Sequence, residues 1–247
     1  MTMTMSGICP DWTVLHSARI VDAAGRAPRW GVHQPWVVEL RGRTVSLYEH
    51  IHGSLHHSAG TERLFACGAA LTNIRLAVRT AGWRADTRFV TDPDQPDLVS
   101  AVTAEELLPP TLAEAHRFAA IFGAAERSAP ARPLSPPSLR AIASASWCTG
   151  VELRLLDTQS AGAVRYIAGN AGAMFLVLTT DDGRLDRVRA GAAVQSACLT
   201  GRAVGLVMRP VVEPLWRPGV RAGLIERLSL AGYPQALLRV DSTIPTN

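Results

Sequence analysis

The chain has 247 residues, 47% hydrophobic and 19% charged, with a mean hydropathy of +0.11. That balance excludes a disordered chain and a disulfide-stapled miniature fold, and leaves room for one large domain or two small ones. All 25 basic residues are arginine and the formal net charge is +4, so mechanisms that need a Schiff-base or P-loop lysine are excluded.

His16 to Gly25 has the spacing of a short helix, which Pro28 follows. Trp36 to Leu40 and Thr44 to Tyr48 alternate around Arg41-Gly42-Arg43, a hairpin signal. Gly68 to Gly82 reads as a helix with Leu71, Ile74, Val78 and Ala81 on one face and a closing glycine suited to a left-handed cap. Ala85 to Val90 follows as a strand, and Asp92, Asp94 and Asp97, interleaved with Pro93 and Pro96, read as a solvated loop. Leu112 to Arg127 and Ser138 to Ala145 are predicted helices. Between them Pro130, Pro133, Pro136 and Pro137 break any regular element. Val151, Leu153 and Leu155 alternate as in a half-buried strand. Met174 to Leu178 is a continuous apolar run, predicting a central strand covered on both faces. Asp181-Asp182-Gly183 turns the chain into a second glycine-bounded helix, Gly191 to Gly205, with Val194, Ala197, Gly201 and Val204 on one face. Leu206 to Val212 is strand-like, Val220 to Leu228 is a helix, and Ala236 to Val240 is a final strand.

The two glycine-bounded helices align without a gap. Each opens Gly-Ala-Ala followed by an apolar residue, Leu76 matches Leu199, Arg79 matches Arg202, and a glycine closes both. This predicts a duplicated unit: an α+β fold with a mixed sheet flanked by helices, built as two fused halves related by a pseudo-twofold axis. The halves are residues 1–128 and 138–247, joined by a proline-rich linker at 129–137.

The arginines are scattered among acids with no aromatic stripe, so no nucleic-acid partner is expected. No apolar run reaches the roughly 18–20 residues that cross a bilayer, and Met1 to Met5 lacks a basic n-region. The expectation is a cytoplasmic protein with no membrane partner. Cys9, Cys67, Cys148 and Cys198 are too far apart for a clamp and read as reduced thiols, some of them buried. His50, His52, His56 and His57 place four imidazoles in one short stretch. They are candidates for a shared metal ion or a pH-sensitive surface, against the plainer reading of exposed loop histidines.

Ala27-Pro28-Arg29-Trp30-Gly31-Val32-His33-Gln34-Pro35-Trp36 resembles the flavin-binding segment of the nitroreductase superfamily. Cys67 to Leu71 with Arg75-Leu76-Ala77 resembles a Cys-Gly-Ala helix of its Acg group, actinobacterial proteins made of two fused, degenerate halves. Phe175 to Thr180, Gly191 to Gly205 and Tyr233 to Val240 continue the resemblance in the same order, so that it spans nearly the whole chain as a shortened member. The resemblance implies FMN held between the halves, reduced by NAD(P)H and reoxidised by a small-molecule acceptor. It places Pro28, Arg29, Trp30 and Gln34 beside the cofactor, with the backbone of Gly205, Leu206, Val207 and Met208 facing the isoalloxazine.

The departures from the family pattern bear on the phosphate. Arg29, Trp30 and Val32 stand where the family has small polar residues and an amide, and valine has no polar atom to donate. Ala124 to Ala129 carries one arginine where the family has two, Asp241 to Asn247 carries no base, and Ala161 to Ala173 is shorter than the Acg insertion that covers the flavin. Three readings follow: an FMN-dependent NAD(P)H oxidoreductase, a non-catalytic descendant that has lost FMN and binds a partner protein or another ligand, and an FMN-sequestering protein. A homodimer or a protein partner that covers the site is compatible with each.

Overall fold

Alternation near the start of the chain resolves into a hairpin. β1 (Trp36–Arg41) pairs antiparallel with β2 (Thr44–Glu49), and the tight turn between them uses Gly42 at φ 52°, a left-handed conformation that suits a residue without a Cβ. A computed structural model describes residues 12–30, 33–50, 57–123 and 134–241. Before the hairpin comes α1 (Val14–Gly25), whose first turn is capped by the Thr13 hydroxyl accepting from the His16 N–H. After it come α2 (His57–Thr80), β3 (Trp83–Phe89), β4 (Leu98–Leu107) and α3 (Leu112–Phe122). The order then repeats with α4 (Pro136–Ala143), β5 (Val151–Leu155), β6 (Ala173–Thr179), α6 (Arg184–Ala203), β7 (Val207–Val211) and β8 (Tyr233–Asp241). Two helices are additional in this second half: α5 (Thr158–Ala168) between β5 and β6, and α7 (Pro218–Leu228), which follows a 3-10 turn at Glu213–Trp216.

The α+β class is as expected, with the sheet structure resolved into two four-stranded antiparallel sheets. Their orders are β1-β2-β4-β3 and β5-β6-β8-β7, the same path twice. Even the irregularity repeats: the β2–β4 ladder shifts register at Leu47/Tyr48, and the β6–β8 ladder at Val177/Leu178.

Several boundaries differ from the sequence expectation. α2 begins well before Gly68, α3 stops at Phe122 rather than Arg127, and α4 takes Pro136 and Pro137 of the expected linker as its first turn under the Ser135 cap. β4 and α5 were not expected. β4 gives a weak signal: Val102 and Ala104 are buried and alternate with half-exposed Ala101, Thr103 and Glu105, but Leu98, Val99 and Ser100 before them are all buried. α5 is small and polar, and is fixed at its ends by the Asp157 cap and Gly169 at φ 71°.

The apolar run in β6 is a central strand covered on both faces. Phe175 and Val177 pack with Ile142 of α4 and Ala193 and Ala197 of α6, while Met174, Leu176 and Leu178 pack with Val164 of α5 and Leu224 of α7. β2 has only one covered face: Val45 and Leu47 are buried, and Thr44, Ser46 and Tyr48 are half-exposed. The expected one-sided amphipathicity of the two repeated helices does not hold. Nearly every residue from Leu64 to Ile74 and from Ala190 to Leu199 is buried, because α2 and α6 pack on each other and on their own sheets. Both end as expected on a left-handed glycine, Gly82 at φ 92° and Gly205 at φ 78°.

Candidate functional site

The connector from α1 to β1 carries Pro28, Arg29, Trp30 and Gln34, and Trp30 reaches the junction of the two halves. Pro28, Arg29 and Gln34 are exposed. Gln34 donates through Nε2 to the Trp36 carbonyl at 3.1 Å, which leaves its side-chain oxygen open. Arg29 has no hydrogen bond or ion pair among the described residues. Trp30 is half-buried and packs against the cores of both halves. Its ring meets Phe65 of α2 edge-on, 5.0 Å between centroids at 84°, a favoured aromatic arrangement.

The second expected stretch is the start of β7. Gly205 is exposed, Val207 and Met208 are half-buried, and the Leu206 side chain is buried in the same core cluster that Trp30, Met208 and Trp216 pack against. Leu206 therefore has only its backbone to offer a ligand. β7 is an edge strand: Val207 pairs with Asp241 and Met208 with Val240 of β8, and Pro210 is accommodated because one edge lacks a partner strand.

Two carboxylates complete the junction. Glu62 of α2 and Glu213 after β7 come from different halves. Burial pushes the Glu62 carboxyl above its ordinary value and the Glu213 charge adds to this, while Arg63 opposes both. The sequence reading missed this pair, because its repeat alignment begins at Gly68, nearly two turns after Glu62. Next to them Glu49, with its side chain 3% exposed, accepts from Arg63 at 2.8 Å and Arg184 at 2.6 Å. That ion triad fastens the end of β2 and the first turn of α6 to α2.

Several side chains in this set offer chemistry that an FMN-like group would use. Trp30 offers an aromatic flank, Val207 and Met208 an apolar one, and Arg29 an unengaged guanidinium. The Trp216 indole N–H, in the same cluster, is buried with no acceptor among the described residues. Ala124 to Ala129, where the resemblance puts phosphate-binding residues, lies outside the described residues. So do the tail after Asp241, His52, His56 and the His57 side chain. His50 is exposed, with its backbone N–H on the Pro35 carbonyl. Among the described residues no cluster of three His, Cys, Asp or Glu side chains is placed to hold a metal, and no helix is long and apolar enough to cross a membrane.

No family model matches the chain. Two Mycobacterium tuberculosis proteins, from strains CDC 1551 / Oshkosh and H37Rv, are each 47% identical to it over 74 residues. Both carry the name "Putative NAD(P)H nitroreductase". Over those 74 residues the chain is similar to proteins that carry a nitroreductase name. The aligned part is 28% of this chain and 21% of each mycobacterial protein, so the chain spans about a fifth of the length of those relatives. Among solved structures, nitroreductase A of Vibrio parahaemolyticus aligns over 51% of this chain and 66% of its own, at 14% identity and a TM-score of 0.41. The NADPH:FMN oxidoreductase of Vibrio harveyi, complexed with NAD+, aligns over 53% and 73%, with the same identity and TM-score.

Cys9 lies outside the described residues. Cys67, Cys148 and Cys198 are all buried and free. Burial pushes each thiol up, Cys148 and Cys198 to about 12, and Cys67 hydrogen-bonds the Pro35 carbonyl at 3.6 Å.

Proposed function

We propose that the chain is a nitroreductase-type flavoprotein that takes electrons from NAD(P)H and passes them to a small-molecule acceptor, with FMN held at the junction of the two halves. The observation that carries this reading is the convergence at Trp30. The connector that resembles the superfamily's flavin segment meets the start of β7 on one core cluster, in a chain with mycobacterial relatives named as NAD(P)H nitroreductases. The motifs at Cys67 to Leu71 and the repeated sheet path support the two-halved Acg group as the subgroup.

FMN, when bound, supplies the acceptor for hydride and the donor for the reduction that follows. The chain's residues bind and orient. Trp30 and Met208, which pack on the same core cluster, would shield the ring from water on the junction side. Gln34 would offer a side-chain oxygen for a hydrogen bond, and Arg29 would meet the phosphate with a charge-assisted one. Glu62, with its carboxyl raised by burial and by Glu213, holds a proton more tightly than an ordinary glutamate and is the group suited to give one to an acceptor.

One feature favours the non-catalytic reading. The Trp30 ring rests on Phe65 and fills space between the two cores, so it is also placed to stand in for a planar ligand. An absorbance spectrum of the purified protein, followed by FMN titration and NAD(P)H oxidation, separates the readings. Flavin bands or saturable binding with NAD(P)H turnover support the oxidoreductase. Binding without turnover points to flavin sequestration. A colourless protein that ignores millimolar FMN overturns both flavin readings.

A further inference from the structure

On another part of the molecule, where the later turns of α2 meet α3 and α6, arginines outnumber the acids available to pair with them. Arg75 of α2 lies face-on over the Trp147 indole, its guanidinium carbon 4.8 Å from the ring centroid. Trp147 comes from the connector between α4 and β5 and is held by its own N–H on the Thr72 hydroxyl at 3.3 Å. Its other neighbour is Phe89 at the end of β3, nearly parallel at 12° with centroids 6.2 Å apart. Phe89 in turn carries the Arg189 guanidinium of α6, 5.2 Å from its centroid. Arg117 of α3 reaches the same region, with Nη1 on the Ser196 hydroxyl and Nε on the Ala113 carbonyl, each at 3.3 Å.

The acids nearby are already engaged. Glu114 accepts two bonds from Arg79 and two more from the Thr111 N–H and hydroxyl. Asp186 accepts from the Gly183 N–H and lies 3.5 Å from Arg189. Arg75, Arg79, Arg117 and Arg189 thus face two carboxylates. Arg75 has no hydrogen-bond or ion-pair partner among the described residues, and none of its nitrogens is sealed from solvent. A guanidinium stacked on an aromatic ring uses its face there and keeps its N–H rim for acceptors in its own plane. Burial pushes Arg75 below the ordinary arginine value. Glu114 pulls it back, but Arg117 and Arg79 push it further down. An anion between Arg75 and Arg117 relieves that repulsion.

We propose that Arg75 and Arg117, backed by Arg189, form a receptor for the phosphate group of a phosphorylated small molecule, separate from the Trp30 junction. The charge imbalance matches a phosphate monoester, which carries close to two negative charges at neutral pH. The free edge of Arg75, with the Nη2 that Arg117 leaves unbonded among the described residues, suits its tetrahedral oxygens better than a single carboxylate. Trp147 and Phe89 act as the platform that holds Arg75 and Arg189 in place. The assignment rests on no reading of the flavin site.

The test is titration of the protein with inorganic pyrophosphate by calorimetry and thermal melting, against sodium chloride of matched ionic strength. Saturable stabilisation by pyrophosphate is expected, weakened about tenfold or more in Arg75→Gln and in Arg117→Gln. Arg75→Lys, which keeps the charge but loses the fork, falls between wild type and Arg75→Gln. Arg41→Gln, on the exposed end of β1, binds as wild type does. Melting curves without pyrophosphate show which variants are folded, and the reading is taken on those, with Arg75→Lys as the mildest change. Binding that survives Arg75→Gln and Arg117→Gln overturns the proposal. So does a wild-type protein that responds to pyrophosphate no more than to chloride.

Discussion

Gly68 of α2 and Gly191 of α6 make the same contact in opposite directions. A Cβ on Gly68 would overlap the backbone carbonyl of Val188, three residues before Gly191. A Cβ on Gly191 would overlap the carbonyl of Phe65, three residues before Gly68. The reciprocity extends outward. Asn73, one turn after Gly68, donates to the Ala23 carbonyl of α1 at 2.8 Å, and Ser196, its match after Gly191, donates to the Ala145 carbonyl just past α4 at 2.7 Å. At the centre Gln195 Nε2 donates to Asn73 Oδ1 at 2.9 Å, and Thr72 donates to the Ala192 carbonyl at 3.0 Å. The two central helices are each other's partners about a pseudo-twofold axis. Because the junction with Trp30 and Phe65 lies one turn away, this contact also sets the geometry of the candidate site.

Gly68→Ala and Gly191→Ala are each expected to destabilise the fold by about 3 kcal/mol or more, because the clash is with backbone that no rotamer change can relieve. Gly25→Ala, at the end of α1 where nothing lies within 4 Å of the added carbon, serves as the matched control and is expected to be neutral or mildly stabilising. Urea denaturation of the three variants measures this. Equal midpoints for Gly68→Ala and Gly25→Ala would mean that the helices do not touch at Gly68.

The glycine alignment was legible in the sequence, because a close helix contact restricts residue type at one position on each helix. The continuous apolar run of β6 was legible for a similar reason: α5 and α7 cover its outer face, and both faces then demand apolar side chains. What the sequence hid was tertiary. β4 lies between β2 and β3, and the alternation of Val102 and Ala104 with Thr103 and Glu105 is short and follows a run, Leu98 to Ser100, that is buried throughout. The burial of α2 on nearly all sides cannot be read from one face of a helical wheel. Glu62 and Glu213, like Arg75 and Trp147, meet only because separate halves pack together. Spacing along the chain carries no trace of such a meeting. Pro28, Arg29, Trp30 and Gln34 came from a family resemblance, and no periodicity points to them.

The Glu49 triad makes a second quantitative claim. Its carboxylate is buried between two guanidinium groups from different halves. Glu49→Ala leaves Arg63 and Arg184 facing each other without a counter-charge, and a loss of about 3–5 kcal/mol is expected. Arg184→Gln removes the more exposed partner and keeps the Arg63 bond, so its cost is expected near 1 kcal/mol. Denaturation midpoints for the two variants should differ in that order. A smaller loss in Glu49→Ala than in Arg184→Gln would show that the triad does not hold the halves together.

Acid sensitivity is expected at Glu114. Burial alone would raise its carboxyl, but hydrogen bonds from Arg79 and from the Thr111 N–H and hydroxyl, with the Arg79 charge, outweigh burial and bring it down to about 2. The folded value is below the unfolded one. The stabilisation is therefore complete above the unfolded carboxyl's ordinary value of about 4.3 and is lost as pH falls towards 2. It amounts to about 2–3 kcal/mol. Glu114→Gln is expected to lower stability at neutral pH and to flatten the acid limb between about pH 4.5 and 2. Stability measured against pH for both proteins tests this, and parallel acid limbs would remove Glu114 as the cause.

The thiols test how tightly the two cores are closed. A thiol held near 12 is ionised to about one part in ten thousand at pH 8, and the thiolate is the reactive species. Cys148 and Cys198 are held there mainly by burial, and Cys67 still higher, with its hydrogen donated to the Pro35 carbonyl. Native protein treated with iodoacetamide at pH 8 is expected to gain no adduct at these three positions, and guanidinium-denatured protein to gain all three, as read by peptide mass spectrometry. Cys148 is the informative one, because it sits next to Trp147 on the connector that carries the platform for Arg75. If Cys148 alone is labelled in native protein, that connector opens locally while both cores stay shut. Labelling there should then fall when pyrophosphate is added. Labelling of Cys67 in native protein would mean that the contact between β1 and α2 opens under native conditions, contrary to the packing described.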